Sequence, residues 1–278
     1  KYISWQNSDV LEDGKIIGMI SFGIDITEQK QRMALVERIR LTSFIKDISI
    51  SLAEGTTLHK ILDQCANAVV DYLDAAFARI WTLNEKENIL ELQASAGVYT
   101  HIDGSHSRIP VGKFKIGRIA QERKPHLTNS IFDDEYISDK DWAKREGMVS
   151  FAGYPLIVEG HLVGVIAMFA CKPLTEFTTR ALASVSDIIA LGIDRKQSEE
   201  ALRLSEGKYR MLIENLPQRI FYKDKDSRYV SCNENFARDL KIRPDEIVGK
   251  TDYEFFPKAL AEKYRADDRR IMHSEKTE

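Results

Sequence analysis

Residues 150–166 read Ser150-Phe151-Ala152-Gly153-Tyr154-Pro155-Leu156-Ile157-Val158-Glu159-Gly160-His161-Leu162-Val163-Gly164-Val165-Ile166. Two β-rich runs, expected over 150–158 and 163–171, flank the turn chemistry of Glu159-Gly160, so the stretch predicts an antiparallel hairpin. Gly160 serves the turn, and Gly164 marks a place where a large side chain would crowd a neighbouring backbone. Immediately downstream, Thr175 is a plausible helix cap with Glu176 in the first turn, and Pro217 forbids continuation. Residues 175–215 therefore read as one helix, roughly 60 Å long at about 1.5 Å per residue, more than one small domain needs.

Upstream of the hairpin, Gly55-Thr56-Thr57 breaks one helix and caps the next, in which Leu58, Ile61, Leu62, Cys65, Val69 and Leu73 form one apolar face. Strands are expected at 75–83 and 89–95, then a long connection over 97–113. A helix at 116–124, a strand at 126–129 and a helix at 139–146 lead into the hairpin. Hairpin-linked strands with helices gathered at the ends predict an α+β fold on an antiparallel sheet.

The long helix carries two faces. Leu182, Val185, Ile189 and Ile193 suit packing on a sheet. Ile188, Leu191, Arg195, Ser198, Leu202, Ser205, Tyr209 and Leu212 alternate steps of three and four, the spacing of a coiled-coil seam with polar gaps. A parallel homodimer is expected along it, and Leu at Arg195, Ser198 or Ser205 is expected to lock a signal rather than abolish folding.

Both ends of the chain hold further structure. Strands at 2–10 and 16–24 meet at Glu12-Asp13-Gly14, and Asp25 or Thr27 caps a linker helix over 28–52, with Leu41, Ile45, Ile48 and Leu52 on one face. After the long helix come strands at 219–223 and 228–231, a helix at 233–240 and a loop at 250–255.

Composition narrows the function. The 278 residues suggest about two domains. A net charge of −3 implies no general attraction to nucleic acid or anionic membrane. No apolar run reaches the ~20 residues of a membrane span, and a cytoplasmic location is expected. Cys65, Cys171 and Cys232 lack disulfide or zinc spacing. There is no phosphoacceptor histidine motif, nucleotide-binding glycine box or GxSxG, so no catalytic core is expected within the chain.

Residues 41–195 resemble a GAF domain. The likeness rests on Ala78-Arg79-Ile80-Trp81, Ser95-Ala96-Gly97, Gly117-Arg118-Ile119-Ala120 and, above all, Phe151 to Leu156 followed by Gly160 and Gly164-Val165. Residues 1–27 are similar to the closing strands of a PAS domain, through Trp5, Asp13-Gly14 and Gly23-Ile24-Asp25-Ile26-Thr27-Glu28. In that family the Asp-Ile-Thr element ties the sheet to its output helix, which implies coupling roles for Asp25 and Thr27. Residues 209–278 resemble the first part of another PAS domain, through Leu216-Pro217, Phe221, Lys223-Asp224, Arg228-Tyr229, Asn233, Phe236, Asp245-Glu246-Ile247 and Gly249-Lys250-Thr251-Asp252. That match ends near Ser274, so an incomplete module is expected, and 175–215 becomes a helix shared by two domains.

The GAF resemblance implies a pocket that Arg79, Trp81, His126, Phe151 and Tyr154 would line, with Arg79 available to an anion. The ligand stays open. No cysteine stands where a covalent bilin needs its thiol, Cys232 lacks the setting of a flavin adduct, and 129–135 imitate a cyclic-nucleotide pattern in composition alone. His101, Asp103 and His106 form a weak metal candidate; no metal site is expected. Asn233, Thr251 and Asp252 are expected to fix loops by side-chain-to-backbone hydrogen bonds.

Together these features predict the sensory region of a bacterial multidomain sensor histidine kinase, with the kinase elsewhere in the same polypeptide. The same modules on a diguanylate cyclase or transcription regulator are the alternative. A small-molecule enzyme using the GAF pocket ranks third for want of a nucleophile.

Overall fold

The computed structural model describes residues 1–12, 14–104, 106–137 and 139–274. Asp13, expected in the first turn, and the last four residues of the expected second PAS segment lie outside the described residues. The chain divides into two compact units, 1–197 and 198–278.

The first unit opens with β1 (Ile3–Glu12) and β2 (Lys15–Asp25), an antiparallel hairpin whose apolar side chains, including Trp5, Ile20 and Phe22, are exposed. At its exit Asp25 Oδ1 accepts from the Thr27 N–H at 2.9 Å, and Thr27 Oγ1 accepts from the Tyr2 N–H at 2.9 Å. The two side chains expected to couple sheet to helix thus tie the hairpin to the start of α1 (Thr27–Glu54). Hydrogen bonds from the Thr27 side chain and then its N–H hold the Asp25 carboxyl below its usual value. Helix α2 (Leu58–Leu73) begins at Thr57, whose side chain accepts from the Lys60 N–H, and buries Ile61, Leu62, Cys65, Ala66 and Val69.

A six-stranded, wholly antiparallel sheet follows, built from β3 (Phe77–Asn84), β4 (Ile89–Gly97), β5 (Arg108–Pro110), β6 (His126–Thr128), β7 (Ser150–Val158) and β8 (His161–Ala170). Its order is β5-β4-β3-β8-β7-β6. β5 lies inside what reads from sequence as unbroken connection. Short helices α3 (Phe114–Glu122) and α4 (Lys140–Arg145) lie in the segments between β5 and β7. At Gly164 a Cβ would stand 2.1 Å from the Trp81 carbonyl oxygen, so β3 and β8 approach there as only glycine allows.

The sheet separates two apolar layers because side chains alternate along each strand. Ala78, Ile80, Ala152, Ile166 and Met168 pack with α1, α2 and α5 (Glu176–Asn215). Phe77, Trp81, Phe151, Val165 and Ala167 face the other way, toward residues of α3, α4 and the loops. On α5 the stripe Leu182, Val185, Ile189 and Ile193 is fully buried, whereas Leu191, Leu202, Tyr209 and Leu212 of the seam are exposed.

The second unit contains a two-stranded sheet, β9 (Phe221–Lys223) and β10 (Tyr229–Cys232), with α6 (Glu234–Leu240) and α7 (Lys258–Ser274). Tyr229, Phe236 and Ile247 form its small core. Asn233 does what was expected of it: its amide oxygen accepts from the Phe236 and Ile220 N–H groups, and its NH2 donates to the Gln218 and Ile213 carbonyls. Thr251 forms a capping box with Glu254, whose carboxylate accepts from the Thr251 N–H at 2.8 Å and from its hydroxyl. Asp252 departs from expectation, since its partners are side chains: Lys223 Nζ at 2.8 Å and the Tyr229 hydroxyl at 2.7 Å. Lys223 reaches Asp268 as well, so a buried ion cluster holds α7 to the sheet. Burial, and then the Asp252 hydrogen bond and charge, push the Tyr229 phenol well above its usual range.

Candidate functional site

A cavity of about 380 Å³ opens between the outer face of the sheet and the segment from β4 to α4. That volume lies in the range of small-molecule sites, roughly 300–1,000 Å³. Strand alternation brings Phe77, Arg79 and Trp81 of β3 and Ala167 and Phe169 of β8 to its wall, and Phe151 joins them from β7. The facing wall comes from sequence that carries little periodic signal: Tyr99, His101 and His106 from the loop after β4, and Tyr136 and Trp142 from the region of α4.

The aromatic wall is locked by contacts among its own rings. Phe77 stacks on Phe169 with centroids 5.0 Å apart and meets Tyr99 edge-on at 5.3 Å. Trp142 packs edge-on against Phe169 at 5.3 Å, and its indole N–H donates to the Tyr99 hydroxyl at 3.0 Å. The Trp81 indole N–H donates to the His106 carbonyl at 2.9 Å, which pins the loop to β3.

Two cations line the cavity, and their partners differ. Lys115, in the first turn of α3, is buried and bonds Asp134 Oδ2 at 2.6 Å while lying 3.8 Å from the centre of the Phe151 ring. His126 Nε2 reaches the same carboxylate oxygen at 2.8 Å. Burial opposes the Asp134 charge, but hydrogen bonds from Lys115, His126 and the Tyr136 N–H outweigh it and hold the carboxyl down to about 2. Burial lowers the Lys115 ammonium, with Asp134 acting in the opposite sense.

Arg79 is held differently. Its Nε donates to Ser95 Oγ at 3.1 Å, and that hydroxyl donates to the Tyr99 carbonyl at 2.6 Å. Its guanidinium carbon lies 5.4 Å from the centre of the Phe77 ring. Among the described residues no carboxylate forms an ion pair with it. Burial lowers its pKa. Desolvation and the neighbouring Arg79 charge also lower the His106 imidazole.

Of the five residues expected to line a pocket, Arg79, Trp81 and Phe151 are brought together there. His126 stands behind the wall, on Asp134 and edge-on to Tyr136 at 5.5 Å. Tyr154 lies on the opposite face of β7, where its hydroxyl donates to the Thr179 carbonyl of α5 at 3.1 Å. His101 and His106 border the cavity, but among the described residues no group of three or more His, Cys, Asp or Glu is placed to hold a metal. Cys65 is buried in the helical layer with its thiol pushed up to about 12 by burial, and Cys171 is exposed. The polar seam residues Arg195, Ser198 and Ser205 are all exposed, and Arg195 Nη2 donates to the Leu52 carbonyl at 2.9 Å.

The family model described as GAF domain matches residues 55–194, half of the chain. The chain belongs to the GAF domain family. A second model, described as PAS fold, matches residues 213–278. Among solved structures, the GAF domain of an Acinetobacter phosphoenolpyruvate-protein phosphotransferase is 18% identical over 58% of this chain and 97% of its own, with a TM-score of 0.50. The corresponding domain from Coxiella burnetii is 15% identical over 59% and 98%, with a TM-score of 0.53. At these identities the likeness is one of fold. No curated protein matches the sequence. The cavity is therefore a feature of the GAF domain, and a PAS-type segment follows it. GAF and PAS are sensory domains. No helix among the described residues is long and apolar enough to cross a membrane.

Proposed function

We propose that the chain is the sensory region of a bacterial multidomain sensor histidine kinase, acting in the cytoplasm as a parallel homodimer, with the kinase in the same polypeptide. In this reading a small molecule occupies the GAF cavity, and α1 and α5 carry the change onward. One observation supports it above the others: the strands that wall the cavity also form the floor on which α1, α2 and α5 pack. Phe77, Arg79 and Trp81 alternate with Ala78 and Ile80 on the same strand. A ligand that repositions the outer side chains acts on a close-packed sheet, and such layers shift between discrete arrangements rather than deform smoothly. The helices are then the output. The 40-residue α5 leaves an apolar seam of Leu191, Leu202, Tyr209 and Leu212 exposed, and the amino-terminal half of α1 exposes Met33 and Val36.

Disulfide trapping tests the dimer. In a Cys171→Ser background, Leu202→Cys is expected to cross-link two copies, while Glu200→Cys, off the seam, is not. Equal trapping at both positions, or none at Leu202→Cys, would sink the parallel seam. Incubating the full-length protein with γ-labelled ATP tests the output, since phosphohistidine is stable to alkali and lost in acid. Formation of a cyclic dinucleotide from GTP would instead assign a diguanylate cyclase.

A further inference from the structure

The chemistry of the cavity narrows its ligand, on the premise that the cavity is the sensory site. Lys115 is neutralised by Asp134 at 2.6 Å, and Asp134 also holds His126. Asp139, the one carboxylate that borders the space among the described residues, accepts from the Trp142 N–H at 2.7 Å to cap α4. Arg79 has no such partner among the described residues. Its Nε is spent on Ser95 and its guanidinium carbon lies 5.4 Å from the centre of the Phe77 ring, while its two terminal nitrogens make no protein hydrogen bond among the described residues. A half-buried guanidinium without a counter-charge favours an anion, and its planar fork matches a carboxylate with two parallel hydrogen bonds.

The first turn of α3 supports the same sign. Phe114, Lys115 and Ile116 all border the cavity, and the opening N–H groups of a helix, which lack intrahelical acceptors, favour an anion. Cationic ligands meet the opposite condition. The ring of Phe77 already carries Arg79, so a ligand cation would face that unpaired charge. The remaining wall is aromatic: Trp81, Tyr99, Trp142 and Phe169 line it, with the Trp142 and Phe169 rings 89° apart, so faces and edges are both presented.

We propose that the GAF cavity binds a small planar aromatic carboxylate, its carboxylate on the free terminal nitrogens of Arg79 and its ring among Trp81, Tyr99, Trp142 and Phe169. This deepens the sensory reading above and rests on it for its role. Ring and charge are both required: the aromatic wall supplies contact area, and Arg79 supplies the preference for an anion over a neutral molecule of the same shape.

The experiment uses the whole chain and 2-naphthoate as the probe, with 2-naphthylmethanol as its neutral counterpart and cyclohexanecarboxylate as an anion without an aromatic ring. Binding is read by tryptophan fluorescence, since Trp81 and Trp142 both line the space, and by isothermal titration. The expected result is saturable binding of 2-naphthoate, with each counterpart weaker by about tenfold or more. Arg79→Gln is expected to remove that advantage of the anion, and Arg79→Lys to restore part of it; circular dichroism and thermal unfolding check that each variant folds. The proposal is overturned if 2-naphthylmethanol binds as tightly as 2-naphthoate, if Arg79→Gln binds the anion undiminished, or if 2-naphthoate does not bind the wild-type chain. Tight binding of the neutral molecule would overturn the anion class and leave the sensory reading standing. That reading fails separately, if filling the cavity leaves amide exchange in α1 and α5 unchanged.

Discussion

Arg195 Nη2 donates to the Leu52 carbonyl at 2.9 Å, joining the last buried turn of α5 to the end of α1. The helices are close here, since a Cβ at Gly192 would stand 2.2 Å from a methyl of Leu52. Arg195 therefore belongs to the packing of the GAF domain as well as to the heptad spacing. Replacing it with Leu is expected to lower stability by roughly 1–2 kcal/mol, the scale of a charge-assisted hydrogen bond at a helix carboxyl end. Urea unfolding at dilute concentration checks this. Ser198→Leu and Ser205→Leu, at exposed seam positions, are expected to leave that midpoint within about 0.5 kcal/mol and to tighten dimerisation, read by sedimentation.

The separation of Gly164 from Trp81 sets a steric limit at the centre of the sheet. Gly164→Ala would press a methyl group on the Trp81 carbonyl, and backbone on both strands must give way. A loss of about 1–3 kcal/mol is expected. Gly160→Ala strains only a turn, where the backbone holds φ at 86° but no atom lies within reach of a Cβ. A thermal melt of the two variants that ranked them the other way would contradict the registered approach of β3 and β8.

The Lys115, His126 and Asp134 cluster predicts an acid-sensitive wall. The Asp134 carboxyl is depressed to about 2, below its unfolded value of about 3.9. Its contribution is therefore fully present above pH ~4 and is lost as the pH falls through about 2. Asp134→Asn removes the counter-charge of Lys115 and is expected to cost about 3 kcal/mol or more at neutral pH. The variant should also show a shallower fall in stability between pH 4 and 2 than wild type, measured by urea unfolding at each pH.

Much of this arrangement can be read from the sequence because it follows from periodicity. The hairpin around Gly160, the buried stripe Leu182, Val185, Ile189 and Ile193, and the Thr57 cap are local patterns with local causes. Strand alternation also separates Phe151 from Tyr154, three apart on β7, although the GAF resemblance implies both on one wall. The far wall is not. Tyr99, His106 and Trp142 come from a loop and a six-residue helix and meet only through the tertiary fold. Lys115 gives no signal at all, because an isolated lysine in a short helix reads as a solvated one until Asp134, nineteen positions away, closes on it. Asp134 itself lies in 132–135, a run that imitates a nucleotide-binding pattern in composition while its carboxylate is spent on the protein's own cations. β5 is a three-residue strand recruited by β4, too short to alternate visibly.

The central claim is that filling the cavity alters the helices through the shared sheet. Ala167 lies on β8 at the cavity wall, paired with Arg79 and Gly153, and Ala167→Met would place a flexible side chain into the space as a substitute for a ligand. Amide hydrogen exchange of the variant against wild type tests the claim most directly. Altered exchange is predicted in β3, β7 and β8 and also along the buried halves of α1 and α5. A change confined to the strands and the cavity loops, with both helices exchanging as in wild type, would contradict it.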